Sequence, residues 1–402
     1  MSDPFYVLAG WLIDGTGESA RSNILIQIQG GMIASLKKVR RDDLESIDHT
    51  VVDLSRCTLL PGLIDCHVHL TMSGMNDPNV RERQLQSSFE QAKDLISERI
   101  GRQIAHGVVA LRDGGDSSGH TLRYQGERRA FDKHPAWIKT AGKAWRSQGR
   151  YGRLIGRPPE SGYTLAQCIA RQDGEADQVK IINSGLNSLT QFGKETAPQF
   201  SREELEVAFQ AARKRHQKVM VHANGKLPVR FAVEAGCHSI EHGFFMGGEN
   251  LERMAELQVF WTPTAFAMRA YCRQLAPESL ETEVASKNLD HQLEQIAHAR
   301  QLGAPVVVGT DSGGLGIRHG RAFVEELKLL IEGGFSTPEA IQCATWNGAR
   351  LLGLEEDLGR LKKGFPATFV VVSGDPSGLP DGLHRPERIY VRGELVSQGP
   401  QE

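Results

Sequence analysis

Hydrophobic and polar positions fall into two regimes along this chain. Up to residue 60 they alternate or run apolar in short stretches, "FYVLAGWLID", "NILIQIQGGMIASLKKV" and "TVVDLS". That is the pattern of strands, with "DGTG" and "QGG" as turn signals between them. Beyond residue 60, eight short apolar segments recur: "GLIDCHVHL", "GVVALRDGG", "WIKTAG", "VKIINSG", "KVMVHANG", "HSIEHG", "VFWTPTAF" and "PVVVGTDSGG". Several are separated by helical patterns such as "SREELEVAFQAARKRH", which opens with a Ser-x-x-Glu capping box. Eight strand–helix units over about 300 residues predict an α/β fold with a parallel barrel rather than an open sheet. Strands return after the helical "GFSTPEAIQCATWNGARLLGL", in "ATFVVVSGDP" and "RIYVRGELVS". The two β-rich ends, 1–60 and 363–402, are therefore expected to pair into one small domain beside a catalytic barrel at 61–362.

The first barrel segment, "LLPGLIDCHVHL" at 59–70, carries polar groups on an apolar strand. With period 2, Asp65, His67 and His69 share one face while Ile64, Cys66, Val68 and Leu70 share the other. Asp65, one pleat below the histidines, either orients one of them or bonds nearby backbone.

Similar residues sit at the ends of other strands. Lys180 lies in the fourth, His222 ends the fifth, His242 the sixth and Asp311 the eighth. The C-terminal strand ends of a parallel barrel carry its active site, and imidazoles and carboxylates there are the donors that zinc takes. A lone histidine is more often a hydrogen-bonded core residue, but His67, His69, Lys180, His222, His242 and Asp311 at successive strand tips form a metal-binding set. Lys180, in "QVKIINSG", would place a charged amine between apolar walls. Either it pairs with a carboxylate such as Asp311, or desolvation leaves it neutral and able to take up carbon dioxide as a carbamate that bridges two cations.

Charge and composition exclude other classes. A net charge of -2 gives no footprint for nucleic acid or an anionic membrane. No run reaches the roughly 18 to 20 apolar residues of a membrane span. The N-terminus lacks a basic start and reads as a strand and turn rather than a signal peptide. Six scattered cysteines without a CxxC suit a reduced state, and a cytoplasmic enzyme is expected.

The segments "PGLIDCHVHL", "HGVVALRDGG", "VKIINSG", "VMVHANG", "AGCHSIEHG", "TPT", "VVVGTDSGG", "ATWNGARLLGL" and "LGRLKKGFPATFVVVSGDP" resemble, in order and spacing, the amidohydrolase superfamily. The resemblance is to the branch of imidazolonepropionase-like proteins and metal-dependent prolidases and carboxypeptidases. It implies a (β/α)8 TIM barrel with a small β-sandwich built from both termini. It further implies two divalent metal ions, zinc expected, with His67, His69 and Asp311 on one, His222 and His242 on the other, and carboxylated Lys180 bridging. Asp311 would accept a proton from the activated water and pass it to the leaving group.

Substrate contacts are less marked. Where the branch carries a Gly-Gly-His-Gly-Asp type segment this chain has "SQGRYGRLIGR", so Tyr151 would replace the histidine, with Arg150 and Arg153 beside it. Asn224, Arg318 and His319 are further candidates near the mouth, each with an alternative role in turns or solvated loops. Thr368 stands where relatives carry aspartate. The charged "RERQ" and "ERRAFDKH" read as solvated helix faces. The function expected is hydrolysis of a small amide, an N-acyl amino acid or dipeptide-like substrate with a free carboxylate, in a monomer or homo-oligomer. A cyclic amide or lactone hydrolase, a deaminase with one metal, and a catalytically silent scaffold are the alternatives.

Overall fold

A computed structural model of the protein describes residues 4–40, 49–130, 132, 134–172 and 174–398. The first four strands are β1 (Phe5–Leu12), β2 (Arg21–Gln29), β3 (Met32–Lys38) and β4 (Val51–Pro61). Gly30 and Gly31, at φ 58° and 76°, make the tight turn between β2 and β3. Two successive positive φ values match the right-handed twist of a hairpin, which is why "QGG" marks it in the sequence.

β4 runs through Gly62 into the barrel. Its strands are β5 (Leu63–Val68), β6 (Val108–Asp113), β7 (Trp137–Thr140), β8 (Ala144–Trp145), β10 (Gln178–Ile182), β11 (Lys218–Ala223), β12 (Ser239–His242) and β13 (Phe260–Thr262), with the short β9 (Gly156–Arg157) appended to β8. All pair in parallel. β7 and β8 form one barrel position interrupted at Gly142, since β7 pairs with β6 and β8 with β10. The eighth position is the extended segment 304–312, which makes isolated bridges rather than a full ladder: Trp261 to Val306 on one side, Val68 to Ser312 on the other. Bonds from Cys66 N to Val308 O (2.9 Å) and Val307 N to Trp261 O (2.9 Å) close the ring there. β5, β6 and β10 are buried along their whole length, because helices cover a parallel barrel outside and side chains fill it inside. The helix Arg202–Lys214 shows how the outer layer docks: Leu205, Ala208, Phe209 and Ala212 form its buried stripe, and Ser201 and Glu204 close its capping box.

β14 (Phe369–Ser373), β15 (Arg388–Val391) and β16 (Glu394–Gln398) then join the first four strands in one sheet, ordered β16-β15-β14-β4-β1-β2-β3. Ile33 N donates to Phe365 O and Ala367 N to Gly31 O, both at 2.8 Å, so the β3 edge meets the segment leading into β14 and the sheet closes over its own core. β14 serves both cores with period 2. Phe369 and Val371 pack in the sheet, while Val370 and Val372 pack against the barrel. Among the described residues no helix is long and apolar enough to cross a membrane.

Candidate active site

The tips of β5, β11 and β12 and the end of segment 304–312 converge at one barrel mouth. His67 Nε2 and His69 Nε2 lie 3.6 Å and 3.4 Å from Asp311 Oδ1. Among the described residues these three form the metal-competent group, with their ligand atoms all within 4.8 Å of one another. His222 and His242 face each other with ring centroids 4.5 Å apart, and His242 is 5.1 Å from His67. His242 and Asp311 both take left-handed backbone, φ 69° and 57°. A strand tip that turns this way re-aims its side chain toward the axis, at a conformational cost that recurs at functional sites.

The remaining histidine nitrogens fix the rings. His67 Nδ1 donates to Glu241 Oε2 at 2.9 Å and His69 Nδ1 to Gly115 O at 2.8 Å. Thr264 Oγ1 gives its own proton to Pro263 O, so it accepts from His242 Nδ1 at 2.7 Å. His222 Nε2 donates to Gly185 O at 3.1 Å. This network leaves Nε2 of three rings and Nδ1 of His222 as lone-pair donors. Burial, reinforced by the Lys180 charge, pushes His69 down to about 4 and His222 to about 3, with His67 and His242 also well below the usual histidine range. All four rings are therefore neutral, the form that binds metal.

Glu241 is fully buried. Besides His67 it accepts from Arg112 Nη2 (2.6 Å) and Ser239 Oγ (2.5 Å), while Arg112 Nε bonds Cys66 O (2.6 Å). Burial favours its protonation, but Arg112 and Lys180 outweigh that and hold it ionised. Neither Glu241 nor Arg112 stands out in the sequence reading. The available signal is a charged residue inside an apolar strand, "SIEHG" or "VVALRDGG".

Lys180 is 1% exposed, and its Nζ has no hydrogen-bond partner. Among the described residues it makes no ion pair, with Asp311 or any other carboxylate. Desolvation lowers its pKa, opposed by Glu241. Burial conversely raises the Asp311 carboxyl, against the pull of Lys180. An orphaned buried amine beside four neutral imidazoles and a carboxylate fits a divalent-cation site. Asp65 takes the backbone role: Oδ1 accepts from His67 N (3.2 Å) and Thr310 N (3.0 Å), and Oδ2 from Thr310 Oγ1 (2.7 Å).

A cavity of about 290 Å³ opens above these groups. A groove of about 450 Å³ around Lys226, Arg230 and Arg253 lies away from all of them. Tyr151 lines the site cavity with its ring 5.4 Å from His222. Asn224 lines it too, but is occupied in holding loops: Oδ1 accepts from Phe244 N (3.0 Å) and Nδ2 reaches Gly185 O (3.3 Å). Arg150, Arg153 and Arg318 are exposed and do not line it; Arg150 Nη2 bonds Ala197 O at 2.8 Å instead. His319 is buried behind the wall, with Nε2 on Met72 O at 2.9 Å. The arginine that does reach the cavity is Arg81, from "RERQ", and with it comes Tyr271. A helix face that reads as solvated from its charges thus lies over the mouth.

The chain is similar to known proteins along nearly its full length. It is 26% identical to ochratoxinase of Aspergillus niger, covering 92% of this chain and 81% of that protein. It is 24% identical to the imidazolonepropionase of a Polaromonas species, covering 85% and 81%. A crystal structure of a Xaa-Pro dipeptidase with bound methionine superposes with a TM-score of 0.79 at 25% identity, covering 99% of this chain and all of that one. Residues 58–396 match the amidohydrolase family. The chain belongs to that family and is a hydrolase of carbon–nitrogen bonds.

Proposed function

We propose that the protein hydrolyses the amide bond of a small N-acyl amino acid or dipeptide-like substrate at a binuclear metal centre. The observation that carries the binuclear reading is Lys180, an amine buried without a partner among neutral imidazoles. As a free base its nitrogen adds carbon dioxide, forming an N–C bond and losing one proton. The resulting carbamate adds two oxygens to the one carboxylate, Asp311, of the histidine cluster. In this reading His67, His69 and Asp311 would hold one cation and His222 and His242 the other, with Lys180 serving both; zinc is the ion such donors suit. When bound, two such ions lower the pKa of water and polarise the scissile carbonyl.

The protein's own groups handle the protons. Asp311, whose carboxyl burial makes more basic, takes a proton on its carboxylate and returns it to the leaving nitrogen. Tyr151 keeps its phenol protonated, since burial and the Asp311 charge raise its pKa, and it stands beside His222 as a donor to the carbonyl oxygen. Similarity to ochratoxinase and to a Xaa-Pro dipeptidase supports an amide substrate. Similarity to imidazolonepropionase keeps ring opening of a cyclic amide as a second reading.

Metal analysis of protein purified without chelators tests the centre, with about two equivalents per chain expected. Lys180→Ala should lower metal content and cut activity beyond the roughly 100-fold lost when a supporting residue is removed. One equivalent, with Lys180→Ala retaining it, would sink the bridged centre. No metal after incubation with zinc and bicarbonate would sink the metallohydrolase reading itself.

A further inference from the structure

The cavity sets one arginine among largely apolar walls. At the Asp311 end stands Arg81, on the helix Pro78–Leu85, with Nη1 donating to Gly313 O at 3.2 Å. That contact uses one of the five N–H groups of a guanidinium. Among the described residues Arg81 makes no ion pair, and with Lys180 set aside it is the one lysine or arginine lining the cavity. Tyr271 lines the same end, and the charge of Arg81 acts on both Tyr271 and Asp311. Around His222 and Tyr151 the wall is Leu154, Ile155, Leu186 and Leu189, and Met72, Leu315 and Ile317 continue it on the Asp311 side. Leu186 is 55% and Leu154 48% exposed, apolar surface left without a partner of its own.

That single arginine orients a substrate, on the reading that Asp311 returns its proton to the leaving nitrogen. The amine half then lies toward Arg81 and the acyl half against the remaining apolar wall. We infer that Arg81, with Tyr271 beside it, anchors the carboxylate of the amino acid that is released, and that the acyl group is apolar. A planar guanidinium with free N–H groups suits a carboxylate. Its helix buries no residue of its own, and the contact to Gly313 O ties the side chain to the segment that carries Asp311.

The test compares N-benzoyl-L-leucine with N-benzoyl-3-methylbutylamine, the same amide without its carboxylate, on the zinc-loaded full chain. The unaltered enzyme should favour the first. Arg81→Gln should raise KM for it by roughly 10- to 100-fold, the range for hydrogen bonds to a charged group, with kcat nearly unchanged and the neutral amide unaffected. Arg81→Lys should recover part of the loss. If Arg81→Gln alters both compounds equally, the arginine is only a tether for the Gly313 loop, and if it alters neither it does not touch substrate. Either result overturns the anchor and leaves the hydrolase reading standing. Absence of turnover of both compounds counts against that reading instead. Calorimetric binding of the same pair then decides the anchor: affinity that depends on the carboxylate and on Arg81 upholds it, and equal binding to both proteins overturns it.

Discussion

His67 is a ligand-ready imidazole because of what its other nitrogen meets. Glu241 takes the Nδ1 proton and is itself held ionised by Arg112, so three residues from three strands act as one unit. Glu241→Gln should weaken metal binding by about 10- to 100-fold in a chelator-competition titration. It should also lower the melting temperature, since a buried guanidinium left without its counter-ion costs about 3–5 kcal/mol. A quieter residue sets an acid limit. His238 accepts from Val219 N through Nδ1 (2.9 Å), and burial with Lys218 and Arg213 nearby lowers its pKa to about 4 from 6.5. The unfolded chain therefore takes up a proton that the fold refuses. Stability should rise with pH between about 4 and 6.5 and be lost on acidification through that window. Melting curves of His238→Gln against pH should be flatter there than those of the unaltered chain. The strand-tip histidines were legible because period 2 and spacing show them directly. Glu241 and Arg112 were not, because they are 129 residues apart and only barrel closure makes them a pair.

Among the elements, segment 304–312 is the least regular and the most exacting. It carries Asp311, yet it makes bridges rather than a ladder. Gly309 explains how it comes so near: a Cβ there would lie 2.3 Å from Thr262 Cγ2 and 2.9 Å from His67 N and Cβ. Gly309→Ala should thus force β5 and this segment apart, lowering metal content and melting temperature together; a variant retaining full zinc occupancy would refute the close packing. "PVVVGTDSGG" reads as a strand because its run of valines is buried, and the pattern has no means of showing that it makes isolated bridges instead of a ladder. Loops are harder still. "SQGRYGRLIGR" places its arginines outside the cavity, and Arg81 arrives from a helix whose charges read as solvated, because loop paths over a barrel mouth depend on contacts that no local period encodes.

At the scale of the whole molecule, the strand pattern predicts both the barrel and the pairing of the two ends, and β14, β15 and β16 complete the sheet that β1–β4 begin. β14 makes the join tight. A Cβ at Gly107 would lie 2.7 Å from Val370 Cγ2, and one at Gly62 would lie 2.9 Å from Thr368 Cγ2. Thr368 itself accepts from Arg392 N (3.1 Å), a role within the seam and far from the chemistry.

That seam has a consequence for synthesis. β4 is flanked by β1, made just before it, and by β14, which follows only after the barrel; Thr58 Oγ1 waits for Gly374 O, 316 residues away. On the ribosome His67, His69, Lys180, His222, His242 and Asp311 are therefore all made before the strand that seals β4 exists. Throughout that interval the nascent chain presents an open apolar edge of the kind that pairs with strangers. Strands translated after the barrel are what convert a finished mouth into a protein safe from its neighbours.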